Sequence, residues 1–162
     1  MRFFLIDRVT KLQQKKSIEG IKAWSLDNEI FLDHFPGNPI VPGVLLTESM
    51  AQLLGLLIEY SYYAEWGSKE KVYPILSIIQ KAKFREVVRP GDQTKLIAEL
   101  KTFDKNRAVG KVQVFVDDIL KAEATLSFSI ATTKDVPNNR FLQRREEFYH
   151  IVLNDILNNN TL

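Results

Sequence analysis

Cysteine is absent from this chain of 162 residues, and histidine, methionine and tryptophan occur only twice each. The lack of cysteine excludes disulfides, thiolate metal ligands and a cysteine nucleophile, and it is compatible with a reducing compartment. The formal charge of +2 is too small to indicate nucleic acid or an anionic membrane as a partner. Of the two histidines, His150 has no second metal ligand nearby and is expected to be an exposed side chain, which leaves His34 as the candidate for chemistry.

Long apolar runs are also missing. The nearest to one, residues 44–58, is interrupted by polar side chains and is shorter than the roughly 20 residues of a membrane-spanning helix. The apolar start at residues 3–6 is stopped by Asp7, well short of a signal peptide. We therefore expect a cytoplasmic protein with no membrane span and with a single main domain.

The distribution of apolar residues predicts a sheet and one long helix. In residues 120–130 apolar and polar side chains alternate strictly, as in a half-buried strand. Short connections between successive strands imply antiparallel pairing. The apolar segment that begins near Gly43 or Val44 predicts a buried helix, which is expected to fray from Tyr60. The predicted strands occupy residues 3–13, 17–26, 72–88, 94–101, 108–116 and 120–130.

The predicted fold class is α+β, with an antiparallel sheet of about five to six strands wrapped around one long apolar helix. This unit accounts for residues 1–132. Residues 133–162 form a C-terminal extension, in which the spacing of five apolar side chains predicts an amphipathic helix: Phe141, Phe148, Ile151, Val152 and Ile156.

The most unusual stretch is the loop formed by residues 34–43, which holds three of the six prolines and two of the seven glycines. Because proline fixes φ and has no N–H, a stiff loop leads directly into the long helix. His34 begins the loop, and Glu48 lies about one turn inside the helix. A fold that brings both into one cavity would provide a base and an acid for proton abstraction and return. At the helix start, Gly43 has a backbone N–H without a helical partner, which could face the oxygen of a bound carbonyl.

Each of these residues also has a simpler interpretation. A histidine in a loop can be a solvated structural residue, a carboxylate in the first turns of a helix is a favourable partner of the helix dipole, and a glycine can serve a turn alone. The basic residues 81–89 can be a solvated strand edge or a docking patch for an acidic partner. No phosphate-binding loop, dinucleotide fingerprint, zinc spacing or nucleophile elbow occurs, so no metal and no cofactor is expected.

Four segments carry a resemblance to a known family: His34-Phe35-Pro36-Gly37-Asn38-Pro39, Pro42-Gly43-Val44-Leu45, Glu48 and Met50-Ala51-Gln52. They resemble the signature of the 3-hydroxyacyl-[acyl-carrier-protein] dehydratases of bacterial fatty-acid synthesis, a hot-dog fold family. The similarity covers about residues 3–131, through further matches at residues 4–9, 81–85 and 90–93. It implies a hot-dog fold for residues 1–132.

The resemblance also implies a mechanism. Two subunits would build each site, with His34 of one subunit opposite Glu48 of the other. His34 would take the α-proton of a 3-hydroxyacyl thioester, the Gly43 N–H would hold the thioester oxygen, and Glu48 would protonate the departing hydroxyl to leave a trans-2-enoyl thioester. Three further residues would contact substrate beside Gly43: Phe35, Val44 and Gln52.

The implied partner is an acyl carrier protein bearing a 3-hydroxyacyl-phosphopantetheine, and the implied assembly is a homodimer or a trimer of such dimers. The expected docking residues are Lys81, Lys83, Arg85 and Arg89. Because the acid is Glu48 and not aspartate, the resemblance favours dehydration without isomerisation of the double bond. Asp33 stands where the family usually has glycine. The extension is longer than usual, which suggests a specialised relative that serves another carrier-protein pathway, such as polyketide or polyene synthesis, in place of general fatty-acid synthesis.

Two other functions fit the same residues. In a hot-dog thioesterase, the carboxylate would activate water against the thioester. In a non-catalytic subunit that binds acyl carrier protein, the basic residues and the extension would serve assembly, and His34 and Glu48 would have no chemical role.

Overall fold

The computed structural model describes residues 3–67, 71–132 and 139–158. Within them the chain forms strands β1 (Arg8–Gln13) and β2 (Ser17–Ala23), helices α1 (Ile30–Asp33) and α2 (Gly43–Trp66), strands β3 (Val72–Phe84), β4 (Gln93–Phe103), β5 (Arg107–Val116) and β6 (Ile119–Thr132), and helices α3 (Asn139–Val152) and α4 (Asn154–Asn158). The six strands form one sheet in the order β1-β2-β4-β5-β6-β3, and all neighbours are antiparallel. The prediction of an α+β fold with an antiparallel sheet and one long helix is confirmed.

The core lies between one face of the sheet and α2. In β5 and β6 alternate residues are buried, including Val112, Val114, Ala124 and Leu126, because successive side chains of a strand point to opposite faces. Helix α2 is buried on most of its surface and packs against β2, β3, β4, β5 and β6. No helix in the described part of the chain is long and apolar enough to cross a membrane.

Two glycines bring α2 unusually close to the sheet. A Cβ atom built on Gly20 would lie 2.8 Å from Cδ1 of Leu53, and one built on Gly110 would lie 2.6 Å from Cδ1 of Leu54. Real Cβ atoms do not approach other carbons so closely, because protein interiors are already packed to van der Waals contact. Glycine at these two positions therefore sets the height of α2 above the sheet.

The expectation that α2 frays from Tyr60 is wrong. The helix continues to Trp66 and ends at Gly67, whose φ of 53° is left-handed and whose N–H donates to the Tyr63 carbonyl at 2.9 Å. The Tyr63 hydroxyl also accepts a hydrogen bond from the backbone N–H of Val72 at 3.1 Å. Contact with β3 thus stabilises a helix end that looks weak when only neighbouring residues are considered.

The described part of the extension consists of α3 and α4, which pack against β1. The residues of α3 that meet the rest of the protein recur at the spacing of one helical face: Arg145, Phe148, Tyr149 and Val152. Of these, Phe148 stacks on Phe4 and Arg145 donates a hydrogen bond to the Glu59 carboxylate of α2. The placement of Ile151 on this face is wrong, because the residue is 66% exposed. The side chain of Phe141, which was also predicted there, lies outside the described ones.

Candidate active site

The proline-rich loop is fixed by backbone hydrogen bonds at three points. The N–H of Ile40 donates to the His34 carbonyl at 2.9 Å, and the N–H of Asn38 donates to the Phe35 carbonyl at 3.0 Å. The N–H of Val41 donates to the carbonyl of Val88 at 2.8 Å, which ties the loop to the segment after β3. The loop therefore holds its first residue, His34, in a defined position relative to the start of α2.

Arg89 supports the same loop from the side. Its Nη1 donates to Oδ1 of Asn38 at 2.8 Å, while its backbone N–H donates to Oδ2 of Asp92 at 2.8 Å. The guanidinium of Arg89 therefore has a partner within the protomer. Its role in docking, expected from the sequence, stays a prediction.

His34 follows α1 and is partly buried. Its imidazole stacks on the ring of Phe35, with the centroids 4.1 Å apart. Within the described residues the His34 side chain makes no hydrogen bond and no ion pair, and the preceding Asp33 is exposed, so both ring nitrogens are available to a ligand. A histidine that is packed by one ring but not hydrogen-bonded is suited to accept a proton from a substrate.

Gly43 is the first residue of α2, where the backbone N–H groups have no partner in the helix. A Cβ atom built on Gly43 would lie 3.1 Å from Cε1 and Cζ of the Phe84 ring. The ring of Phe84, at the end of β3, therefore packs directly against the helix start, although 52% of the residue is exposed. Phe84 was not predicted to have a role, and the available signal in the sequence is that it is the one aromatic residue in the basic run of residues 81–85.

Glu48 is partly buried and is held by Gln52, four residues further along α2. Nε2 of Gln52 donates to Oε1 of Glu48 at 3.0 Å and to the carbonyl of Phe3 at 3.0 Å. Oε1 of Gln52 accepts from the N–H of Leu5 at 2.8 Å. The amide of Gln52 thus links Glu48 to the N-terminal segment, defined as residues 3–6, and its expected contact with substrate stays a prediction.

No hydrogen bond or ion pair joins His34 to Glu48 within the part of the protomer that the structure describes. The other two residues expected to contact substrate, Phe35 and Val44, are 51% and 75% exposed. The structure of one protomer therefore presents the predicted catalytic groups separately, on a surface that includes exposed apolar side chains.

The predicted docking residues fall into two groups. Lys81 and Lys83 are exposed and form no ion pair with any described residue. Arg85 instead pairs with Glu123 on β6, and Lys111 shares that carboxylate at 3.2 Å. Hydrogen bonds from Arg85 and then from Lys111 lower the pKa of the Glu123 carboxyl.

A second glutamate of α2, Glu59, forms a cluster that the sequence analysis missed. It is buried and accepts hydrogen bonds from Arg145 of α3 and, at 3.3 Å, from the hydroxyl of Tyr63. The guanidinium of Arg145 lies over the rings of Tyr73 and Tyr149, at 4.6 and 4.9 Å from their centroids. Burial raises the pKa of the Glu59 carboxyl, and the charge of Arg145 opposes that rise. Burial also raises the pKa of Tyr63 to about 12, so this hydroxyl stays protonated and donates.

Curated relatives resemble the chain over most of its length. A 3-hydroxyacyl-[acyl-carrier-protein] dehydratase of Symbiobacterium thermophilum is 41% identical over 128 residues, which are 79% of this chain and 87% of the relative. A dehydratase of the same name from Wolinella succinogenes is 41% identical over 133 residues, covering 80% of this chain and 86% of the relative.

Solved structures share the fold at much lower identity. A Streptococcus mutans protein bound to acetyl CoA superimposes with a TM-score of 0.60 at 11% identity, covering 77% of this chain and 88% of that one. A thioesterase of Haemophilus influenzae gives a TM-score of 0.57 at 14% identity, covering 75% and 76%. These likenesses confirm the expected hot-dog fold and, at such identities, carry no information on activity.

The family model described as the FabA-like domain matches residues 1–125. This match includes the loop, the start of α2, Glu48 and β3, which are the parts that carry the candidate site. It ends before α3 and α4. The chain belongs to the FabA-like family.

Proposed function

We propose that this protein catalyses the dehydration of 3-hydroxyacyl-[acyl-carrier-protein] to trans-2-enoyl-[acyl-carrier-protein]. The observation that carries the proposal is the fixed arrangement of two groups at the ends of a stiff loop: the His34 imidazole, which has no hydrogen bond to any described residue, and the N–H of Gly43, the first residue of α2. The Glu48 carboxylate follows within the same helix. Relatives that are about 40% identical to this chain over about 80% of its length bear the name of this activity.

In the proposed reaction, a ring nitrogen of His34 accepts the α-proton of the 3-hydroxyacyl thioester. Negative charge then develops on the thioester oxygen, where the N–H of Gly43 and the positive end of the α2 dipole stabilise it. The protonated carboxyl of Glu48 gives its proton to the 3-hydroxyl group, the C–O bond breaks, and water leaves. A trans-2-enoyl thioester remains, and proton transfer from the His34 imidazolium to the Glu48 carboxylate restores the starting state.

We further propose that His34 and Glu48 of two protomers meet in a homodimer. This is supported by the lack of any contact between them within the described residues of one protomer. Among the described strands, β3 lies at an edge of the sheet and pairs with β6 alone, and it exposes about half of Ile75, Ile78 and Ile79. An exposed apolar edge of this length is a ready site for pairing with a second chain.

A mixing experiment tests both the activity and the shared site. Purified His34→Ala and Glu48→Ala proteins should each lose at least about 100-fold of the rate of hydration of a 2-enoyl thioester, since each lacks one proton-transfer group. After the two proteins are unfolded and refolded together, heterodimers should regain one intact site each, and the rate should rise to a substantial fraction of wild type.

The controls for mixing are each variant refolded alone. If the mixture stays inactive while wild type refolds to full activity, the two residues come from one protomer. If wild type releases free acid from the thioester and forms no dehydration product, the protein is a thioesterase. If wild type binds acyl carrier protein without turnover, it is a binding subunit.

We also propose that acyl carrier protein, an acidic partner, docks on Lys81 and Lys83, because these lysines are exposed and lack partners among the described residues. Replacement of both by glutamate should raise KM for carrier-protein substrates about tenfold or more at low salt and leave small thioester substrates unaffected. The matched control is Lys101→Glu on β4, where the lysine already pairs with Glu99 at 2.6 Å. Equal losses on both kinds of substrate would contradict docking at this patch.

A further inference from the structure

The position of the Glu48 carboxylate depends on which way the amide of Gln52 faces. A glutamine side chain can rotate so that either its oxygen or its NH₂ group points at a neighbour. Here the N–H of Leu5 can be accepted only by Oε1, at 2.8 Å, and the Phe3 carbonyl can accept only from Nε2, at 3.0 Å. Both contacts select the orientation in which Nε2 donates to Glu48. If the N-terminal segment moved away, the opposite orientation would place an oxygen against the carboxylate.

The N-terminal segment is in turn held by α3. The rings of Phe4 and Phe148 lie nearly parallel, with the centroids 4.2 Å apart and 8° between the planes. Phe148 is 7% exposed and belongs to the same apolar core as Leu5 and Ile6. Residues 3–6 precede β1 and are not part of a strand, so the sheet does not hold them by strand pairing. The aromatic stack therefore provides part of the support for this segment.

Helix α3 has its own attachment to the protein. Arg145, three residues before Phe148, pairs with the buried Glu59 of α2 and also donates to the Val72 carbonyl at 3.3 Å. The side chains of Val152 and Ile156 are buried further along. Phe148 is thus held from both sides and can transmit a fixed position to Phe4.

We propose that α3 is a positioning element for the acid of the reaction, acting from Phe148 through Phe4 and the backbone of residues 3–5 to Gln52 and Glu48. This inference rests on the proposed function, because it assigns a consequence to the orientation of Glu48. The FabA-like match ends at residue 125, before α3 begins, so this support is supplied by the extension of this chain.

The test compares Phe148→Ala with wild type in hydration of a 2-enoyl thioester. The variant should show kcat lowered about tenfold with KM unchanged, because a misplaced acid affects the chemical step more than binding. Phe148→Tyr, which keeps the aromatic ring, should restore most of the rate. Ile151→Ala is the matched control, because it removes a comparable apolar side chain from the same helix at a residue that is 66% exposed.

A second measurement separates positioning from general loss of structure. In a Gln52→Ala background the link to Glu48 is already broken, so the added Phe148→Ala change should have no further effect on kcat. An undiminished effect of Phe148→Ala in that background would overturn the proposal. Should Phe148→Ala fail to fold, Phe4→Ala replaces it, because Phe4 is 37% exposed and its removal leaves the core filled.

Hydrogen exchange provides a measurement that does not depend on activity. The amide of Leu5, protected by Gln52, should exchange at least about tenfold faster in Phe148→Ala and at the wild-type rate in Ile151→Ala. Unchanged exchange would overturn the proposed support by α3 even if the dehydratase activity is real. Absence of dehydratase activity in wild type would contradict the proposed function and, with it, the role given to Glu48. Faster exchange of Leu5 in Phe148→Ala would in that case still establish that α3 supports the N-terminal segment.

Discussion

Two of the three glutamates of helix α2, Glu48 and Glu59, lie about three turns apart, and their surroundings differ in kind. Glu48 is partly exposed, and one of its oxygens accepts a hydrogen bond from the neutral amide of Gln52. Glu59 is 6% exposed and faces the guanidinium of Arg145 and the hydroxyl of Tyr63. A carboxylate that is removed from water needs a charged partner, and the pair then stays fixed. The Glu48 carboxylate has no charged partner among the described residues, so it is open to contact with a substrate.

The largest effect should come from exchanging each carboxylate for its amide. Glu48→Gln removes the proposed acid and should lower kcat for hydration of a 2-enoyl thioester about 10³-fold, with little change in Tm, since the site is partly solvated. Glu59→Gln should leave kcat within about threefold of wild type and lower the free energy of unfolding by about 2 kcal/mol, because Arg145 loses its charged partner. Rates and urea unfolding of both variants measure the contrast. A large loss of kcat in a fully folded Glu59→Gln protein would show that Glu59 takes part in the reaction and would contradict its purely structural role.

A smaller effect, and one that depends on pH, is expected from Arg145→Met. Burial already raises the pKa of Glu59 in the folded protein above its ordinary value of 4.5, and loss of the arginine removes the largest opposing influence. The folded variant then binds a proton that the unfolded chain has released, so its stability falls as pH rises above about 4.5. The deficit against wild type should be below about 1 kcal/mol at pH 4 and about 3 kcal/mol at pH 8.

The control for this prediction is the double variant Arg145→Met with Glu59→Gln, in which residue 59 no longer titrates. Between pH 4 and pH 8 the stability of this double variant should fall less than that of Arg145→Met, as measured by urea unfolding at each pH, because residue 59 no longer binds a proton in the folded state. A deficit in Arg145→Met that shrinks as the pH rises would show that Glu59 is not the group that Arg145 stabilises.

The two glutamates also show what the sequence can predict. Strands β5 and β6 follow from alternation, and α2 follows from an apolar run of helical length, because those signals are local. His34, Gly43 and Glu48 are close in the chain, and a short motif is enough to select them. Nothing local distinguishes Glu59 as the buried member of an ion pair, because Arg145 lies 86 residues away. The stack of Phe4 on Phe148 is equally hidden, since it joins the two ends of the chain.

The same reason explains the error at the end of α2. Residues 60–66 include several aromatic side chains and precede Gly67, which is typical of a helix that frays. In the folded protein the hydroxyl of Tyr63 is bound by the N–H of Val72, and the glycine serves as an ordered end to the helix. Whether such a helix end is ordered depends on its contacts with the following strand. The helix propensities of the residues themselves do not include those contacts.

Gly20 and Gly110 affect the proposed site as well as the packing of the core, because they set the position of α2. They lie in β2 and β5 and approach Leu53 and Leu54, the residues that directly follow Gln52 in α2. Where a helix packs directly on the backbone of a strand, no side chain lies between them that could change rotamer. The distance between α2 and the sheet is therefore fixed by the position of the strands. In the proposed site, where Glu48 of one protomer faces His34 of its partner, the height of α2 would therefore contribute to the distance that a substrate spans, although neither glycine touches that substrate.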